Sequence, residues 1–176
     1  MMQPKEVALS RTILTDTVLP SETNALGNMF GGELLARMDR AGSIAAQRHS
    51  GRVVVTASVN HVAFKKSISA GSIVTIEACV SRSFTTSMEV YIDVWVEDYI
   101  RGGRVKSNEA IYTFVAVDDQ GHPVEIPEVI PQTEIEKERF KGALQRKQLS
   151  LVLAGKMKPE QATEIKSLFD NLQTSS

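Results

Sequence analysis

Residues 23–39, "TNALGNMFGGELLARMD", decide how the chain is read. Three glycines and two asparagines crowd the first ten positions, and an amphipathic helix follows at once. At about 100° per residue, Glu33, Arg37, Arg40, Gln47 and Arg48 fall on one arc, expected to face solvent. Glu33 precedes Arg37 at a supportive i,i+4 spacing. Leu35, Met38, Gly42, Ala45, Ala46 and His49 lie opposite. Asp39 falls on the flank of that apolar arc. A carboxylate on such a flank is partly desolvated, and desolvation makes it a stronger base once ionised. Either it serves chemistry there, or a neighbour satisfies it at a rotated helix edge. Gly27, Gly31 and Gly32 leave backbone N–H groups uncovered ahead of the helix, where the dipole favours negative charge. Such groups suit a carbonyl oxygen that becomes negative during reaction, or else a tightly packed loop–helix junction. The spacing is neither G-x-G-x-x-G nor a Walker loop, so a nucleotide phosphate is not expected.

Around this stretch the chain reads as one domain plus an extension. It has 176 residues, is 42% hydrophobic and carries a net charge of −1. Nothing global argues for nucleic acid or an anionic membrane as partner. One cysteine, Cys79, excludes an intramolecular disulfide framework and fits a reducing, cytoplasmic setting. The N-terminal "MMQPKEVALSRTILTD" lacks a signal-peptide pattern, and no apolar run approaches the length of a membrane span.

Strand signals dominate after the helix, which is expected from Gly31 or Gly32 to about His49, ended by Ser50-Gly51. A first strand is expected over 7–15, then strands at 53–64, 73–80, 88–96 and 110–117. In 88–96 the period of two is plain: Met88, Val90, Ile92, Val94 and Val96 share a face, and Glu89, Tyr91, Asp93, Trp95 and Glu97 the other. "RGGR" (101–104) marks a hairpin turn. One long helix followed by strands with short connections is an α+β pattern, expected as an antiparallel meander wrapped around the helix. Pro123, Pro127 and Pro131 mark a boundary. Residues 1–131 form the domain; 132–176 form a charged, partly helical extension with grouped Leu149, Leu151, Val152 and Leu153. The closing "QTSS" (173–176) is expected to fray.

"VLPSETNALGNMFGGELLARMD" resembles the signature of the acyl-CoA hydrolase (acyl-CoA thioesterase) family of hot-dog proteins. "VVTASVNHVAF", "TSMEVYIDVWVED" and "YTFVAVDDQGHPVEIPEVIP" extend the resemblance over about residues 10 to 131. It implies a hot-dog fold, a long central helix wrapped by an antiparallel sheet. It also implies acyl-CoA as substrate, hydrolysed to free fatty acid and CoA, with no cofactor beyond the CoA of the substrate. Assembly is implied as dimers with shared sites, and further as a trimer of dimers, a hexamer. By resemblance Asn24 and Asp39 are the catalytic pair, contributed by opposite subunits, and Gly31 and Gly32 bind the thioester oxygen. Asp39 then activates water, or attacks directly to form an anhydride, and Asn24 orients water or substrate. Thr86 and Ser87 match the segment beside the CoA chain, although a hydroxyl-rich turn explains them equally. Arg82 and Lys65 are candidates for CoA contact; Lys66, Arg101, Arg104 and Lys106 are further cations that solvated surface accounts for as well.

Other classes fit less well. There is no G-x-S-x-G for a serine hydrolase. His49, His61 and His122 lack metal-ligand spacing. His61 reads as a half-buried strand histidine, and His49 as a cation suited to a helix end. Cys79 reads as packing. A non-catalytic acyl-CoA-binding or regulatory module remains the alternative. A hydratase would display a catalytic histidine paired with an acid, which cannot be placed here.

Overall fold

β-branched and aromatic residues in alternation build the sheet, and a long helix with small residues at Ala41, Gly42, Ala45 and Ala46 packs against it. The computed structural model describes residues 2–167. In chain order the first unit contains β1 (Lys5–Glu6), β2 (Thr12–Thr17), α1 (Gly31–Ser50), β3 (Val53–Phe64), β4 (Ile73–Ser83), β5 (Ser87–Glu97), β6 (Arg104–Val117) and β7 (Val129–Ile130). Five strands form one antiparallel sheet in the order β2-β4-β5-β6-β3, while β1 and β7 pair in parallel. Met88, Val90, Ile92 and Val94 of β5 are fully buried, as their period requires. The sheet's inner face meets α1 across all five strands. This is the expected hot-dog arrangement.

Four expectations are corrected. Residues 7–10 are a 3-10 turn, not strand. Ser10 bends the chain there: its hydroxyl donates to the Val7 carbonyl at 2.7 Å and accepts the Val80 N–H at 2.9 Å. Secondly, the sheet is not a plain meander. β3 pairs with β6 and becomes an edge, so residues 65–72 must cross to β4 on the far side. That crossing is stapled to the loop before α1: Met29 N–H donates to the Ile68 carbonyl at 2.7 Å, and Ala70 N–H to the Gly27 carbonyl at 3.0 Å. Thirdly, His61 is exposed rather than half-buried, because bulges near Thr56 and Val59 break the alternation of β3.

The fourth correction concerns α1. It runs Gly31–Ser50 and ends on Gly51 in the left-handed conformation (φ 67°). Its buried stripe is Leu34, Arg37, Met38, Ala41, Gly42, Ala45, Ala46 and His49. The stripe is rotated toward Arg37, so that residue is buried rather than solvent-facing, and Leu35 moves out to half-burial beside Asp39. Arg37 does not pair with Glu33; its guanidinium meets Glu22 at 2.7 Å and Asp16 at 3.2 Å. His49 is buried whole and donates from Nε2 to the Pro127 carbonyl at 2.9 Å. Burial pushes its pKa below the usual 6.5, so it is neutral and not a helix-end cation.

Among the described residues, 2–130 and 131–167 fall into two compact units. In the second, α2 (Glu134–Leu153) opens on a reciprocal cap: Thr133 Oγ1 accepts the Glu136 N–H at 3.3 Å, and the Glu136 carboxylate accepts the Thr133 N–H at 3.0 Å. Leu149 and Leu153 are exposed on it. Residues 173–176, read as frayed, lie outside the described residues.

Candidate active site

Three pieces of backbone present the residues singled out by the sequence. The first is the turn at Asn24. Its N–H donates to the Asn28 carbonyl at 2.8 Å and its carbonyl accepts the Gly27 N–H at 2.9 Å. Asn24 Oδ1 accepts two further backbone N–H groups, Leu26 at 2.9 Å and Asn28 at 3.2 Å. These donors fix the amide's orientation, and Nδ2 has no hydrogen-bond partner among the described residues. The turn uses the oxygen; the nitrogen remains a donor. Gly27 supplies the positive φ of 72° that this turn needs.

The second piece is the start of α1. Phe30 is the N-cap, and no side chain caps the helix. The first intrahelical bond is Leu34 N–H to the Phe30 carbonyl at 3.2 Å, so the N–H groups of Gly31 and Gly32 precede the ladder. Both glycines are helical rather than left-handed. Their contribution is bareness: a Cβ on Gly32 would meet nothing within 4 Å, and one on Gly31 would touch only the Phe64 ring at 3.4 Å. Uncapped N–H groups at the positive end of a twenty-residue helix are ready donors to an oxygen bearing negative charge.

The third piece is Asp39, half-buried two helical turns further on. Its Oδ1 accepts the Thr56 hydroxyl at 2.7 Å. It opens into a groove of about 360 Å³ whose other walls are Leu35, Ala36, Val59, Val62, Phe64 and Tyr112. The groove is apolar apart from that carboxylate. The Tyr112 hydroxyl donates to the Leu35 carbonyl at 3.3 Å. Burial, and then the negative charge of Asp39, push its pKa up to about 12, so it stays protonated. Thr56 and Tyr112 escape a sequence reading because a threonine and a tyrosine in β-rich runs are ordinary strand formers.

The uncapped N–H groups and the carboxylate lie apart along α1. Seven residues of helix separate Gly32 from Asp39, a rise of roughly 10 Å.

The thioesterase superfamily model matches residues 26–101. An uncharacterised acyl-CoA thioester hydrolase of Bacillus subtilis is 39% identical over 137 residues, 78% of this chain and 80% of that one. The chain belongs to the acyl-CoA thioester hydrolase family. Two solved members show how far the likeness extends. An apo-hexameric acyl-CoA thioesterase superposes with a TM-score of 0.84 at 41% identity, over 87% of this chain and 98% of that one. The acyl-CoA hydrolase of Staphylococcus aureus, solved with butyryl coenzyme A, coenzyme A and coenzyme A disulfide, gives 0.82 at 33%, over 97% and 99%.

In this acyl-CoA hydrolase family member the CoA candidates are spread out. Thr86 sits in the β4–β5 turn and Ser87 opens β5, where Phe84 N–H donates to the Ser87 carbonyl at 2.7 Å. Arg82 lies over the Phe84 ring at 5.9 Å. Lys65 is elsewhere. It follows Phe64, which pairs with Asn108 of β6, whereas Ser87 pairs with Val115. Seven strand residues make that roughly 23 Å. Lys65 already pairs with Glu109 at 2.5 Å, Lys106 with Asp93 at 2.6 Å, and Arg104 with Glu77 while stacking over Trp95. Among the described residues no group of His, Cys, Asp and Glu could hold a metal ion, and no helix is long and apolar enough to cross a membrane.

Proposed function

We propose that the chain hydrolyses the thioester of acyl-CoA to a free fatty acid and CoA, with Asp39 as general base. Water attacks the carbonyl carbon while Asp39 takes its proton. The oxyanion is steadied by N–H groups at Gly31 and Gly32, and Asn24 orients water or substrate through Nδ2. The C–S bond then breaks, and the CoA sulfur leaves with the proton that Asp39 had taken. No cofactor enters these steps. The observation that carries this reading is a carboxylate in an apolar groove with one oxygen held by Thr56, leaving the other for water. The same groove suits an acyl chain, and the S. aureus relative's butyryl coenzyme A complex supports that class of substrate.

The roughly 10 Å between Gly32 and Asp39 supports a site completed by a second copy. β3 is an exposed edge whose Phe64 end lies by Gly31 and whose Thr56 lies by Asp39. Two-fold antiparallel pairing of that edge sets one chain's glycines beside the other's carboxylate. The hexameric relative supports a trimer of such dimers. The lone Cys79 fits a cytoplasmic setting. Contacts of CoA with Thr86, Ser87, Arg82 and Lys65 belong to the same proposal, drawn from both protomers.

Incubation of the protein with short- to long-chain acyl-CoA and a thiol reagent tests the activity. Release of free CoA is expected, and a non-catalytic acyl-CoA-binding module would release none. Asp39→Asn is expected to lower kcat by about 10²–10⁴ with the oligomer intact. Full activity in that variant removes Asp39 from the chemistry.

A further inference from the structure

Arg37 is the one charged side chain in the buried stripe of α1, and only 5% of it is exposed. A guanidinium survives burial only where carboxylates compensate it. Its Nη2 lies 2.7 and 2.8 Å from the two Glu22 oxygens and 3.2 Å from Asp16, whose side chain is largely exposed. Nη1 is buried with no partner among the described residues. Stability alone does not require the pair, since a buried ion pair replaced whole by apolar groups is commonly neutral or stabilising. What the pair fixes is geometry. Glu22 also accepts the Leu19 N–H at 2.8 Å through Oε2, and its carbonyl accepts the N–H of Phe30, the N-cap of α1, at 2.9 Å. Thr23 pairs with Met29 just inside. Glu22 therefore closes the base of the loop that carries Asn24 and delivers Gly31 and Gly32.

We propose that Arg37 is a positioning residue for hydrolysis: through Glu22 it locks the Asn24 turn and the glycine-bearing start of α1 to the body of the helix. The proposal rests on the role given to Asn24 above. The anchor is short, because Arg37 lies on the same helix that Gly31 and Gly32 begin. Losing it lets the Asn24 donor drift, and a drift of about 1 Å can cost on the order of 10²-fold in rate.

Steady-state kinetics on the full chain, with the acyl-CoA of a chain-length panel that turns over fastest, test this. Arg37→Met is expected to lower kcat by about 10- to 100-fold with KM changed far less. Its oligomer size should match the wild type, with the melting temperature lowered because Glu22 loses its partner; Glu22→Gln/Arg37→Met, which removes both charges, should melt closer to the wild type while kcat stays low. Arg37→Lys recovers part of kcat. Glu22→Gln moves kcat the same way and decides the matter should Arg37→Met not fold. Because Arg37 acts in part through Asn24, the Asn24→Ala/Arg37→Met double variant loses less than the product of the two single effects. A normal kcat in Arg37→Met or Glu22→Gln, beside a slow Asn24→Ala, overturns the clamp alone. So does a double variant that loses the product of both single effects. A normal kcat in Asn24→Ala instead overturns the role of Asn24 on which the clamp depends.

Discussion

His49 shows at the scale of one residue how burial turns into pH dependence. The ring is enclosed at the end of α1, with Nε2–H donating to Pro127 and Nδ1 meeting no partner among the described residues. Burial lowers its pKa most, the hydrogen bond to the Pro127 carbonyl works the other way, and the Lys5 ammonium lowers it again. That ammonium donates to the His49 carbonyl at 2.7 Å. The unfolded chain takes up a proton below about 6.5, while the folded chain resists until lower pH. This contribution to stability is therefore full above 6.5 and drains as pH falls toward the folded-state value. The slope is at most about 1.4 kcal/mol per pH unit. Thermal melts at about pH 7.5 and about pH 5.5 should show wild type losing more than His49→Gln. Equal losses in the two proteins would mean that His49 titrates as freely folded as unfolded.

Between elements, the decisive distance is that from α1 to the sheet. A Cβ added at Gly42 would sit 2.9 Å from Phe114 Cε2, 3.0 Å from its Cζ and 3.3 Å from Ile92 Cδ1. Helix propensity by itself favours Ala over Gly by roughly 0.8–1.0 kcal/mol. Overpacking a filled core costs about 1–3 kcal/mol, and the clash is with a ring that has no room to swing. Gly42→Ala is thus expected to destabilise by about 1 kcal/mol, read as a lower melting temperature. Gly32→Ala, built into open space, serves as control and should not destabilise. A rise in melting temperature on Gly42→Ala would show that helix and sheet can part at little cost. Elements of this kind were largely legible in the sequence. The period of β5, the Ser50-Gly51 stop and the small residues of α1 are local patterns, and locality is what a single sequence displays. Arg37 was misjudged because its burial depends on Asp16 and Glu22, about fifteen to twenty residues away, closing over it. The place of β3 was missed because its partner β6 begins forty residues after it ends. Of the candidate site, the glycines were visible through their backbone freedom and Asn24 only through the family resemblance, whereas the Thr56 hydroxyl meets Asp39 only once β3 is laid against α1.

Across the whole molecule, the unfinished edge of the sheet and the unfinished site call for the same completion. β3 is twelve residues long and leaves Val53, Val55, Val59 and Phe64 roughly half exposed. A long apolar edge left bare invites uncontrolled pairing, so a native chain has reason to cover it. Two copies meeting antiparallel keep the middle of β3 near the dyad and exchange its ends. On the function proposed above, each site takes Asn24, Gly31 and Gly32 from one chain and Asp39 with Thr56 from the other. Asn24→Ala and Asp39→Ala proteins are each expected to be inactive alone. When they are mixed in equal amounts, unfolded and reassembled, half of the dimers are mixed, and each mixed dimer has one intact site of two. Recovery to about a quarter of wild-type turnover is therefore expected. The yield of mixed dimers can be counted independently by tagging one variant. If the tagged count proves exchange and turnover stays at the level of the parents, Asn24 and Asp39 act from the same chain. The roughly 10 Å of helix between Gly32 and Asp39 would then have to be bridged by the substrate rather than by a partner.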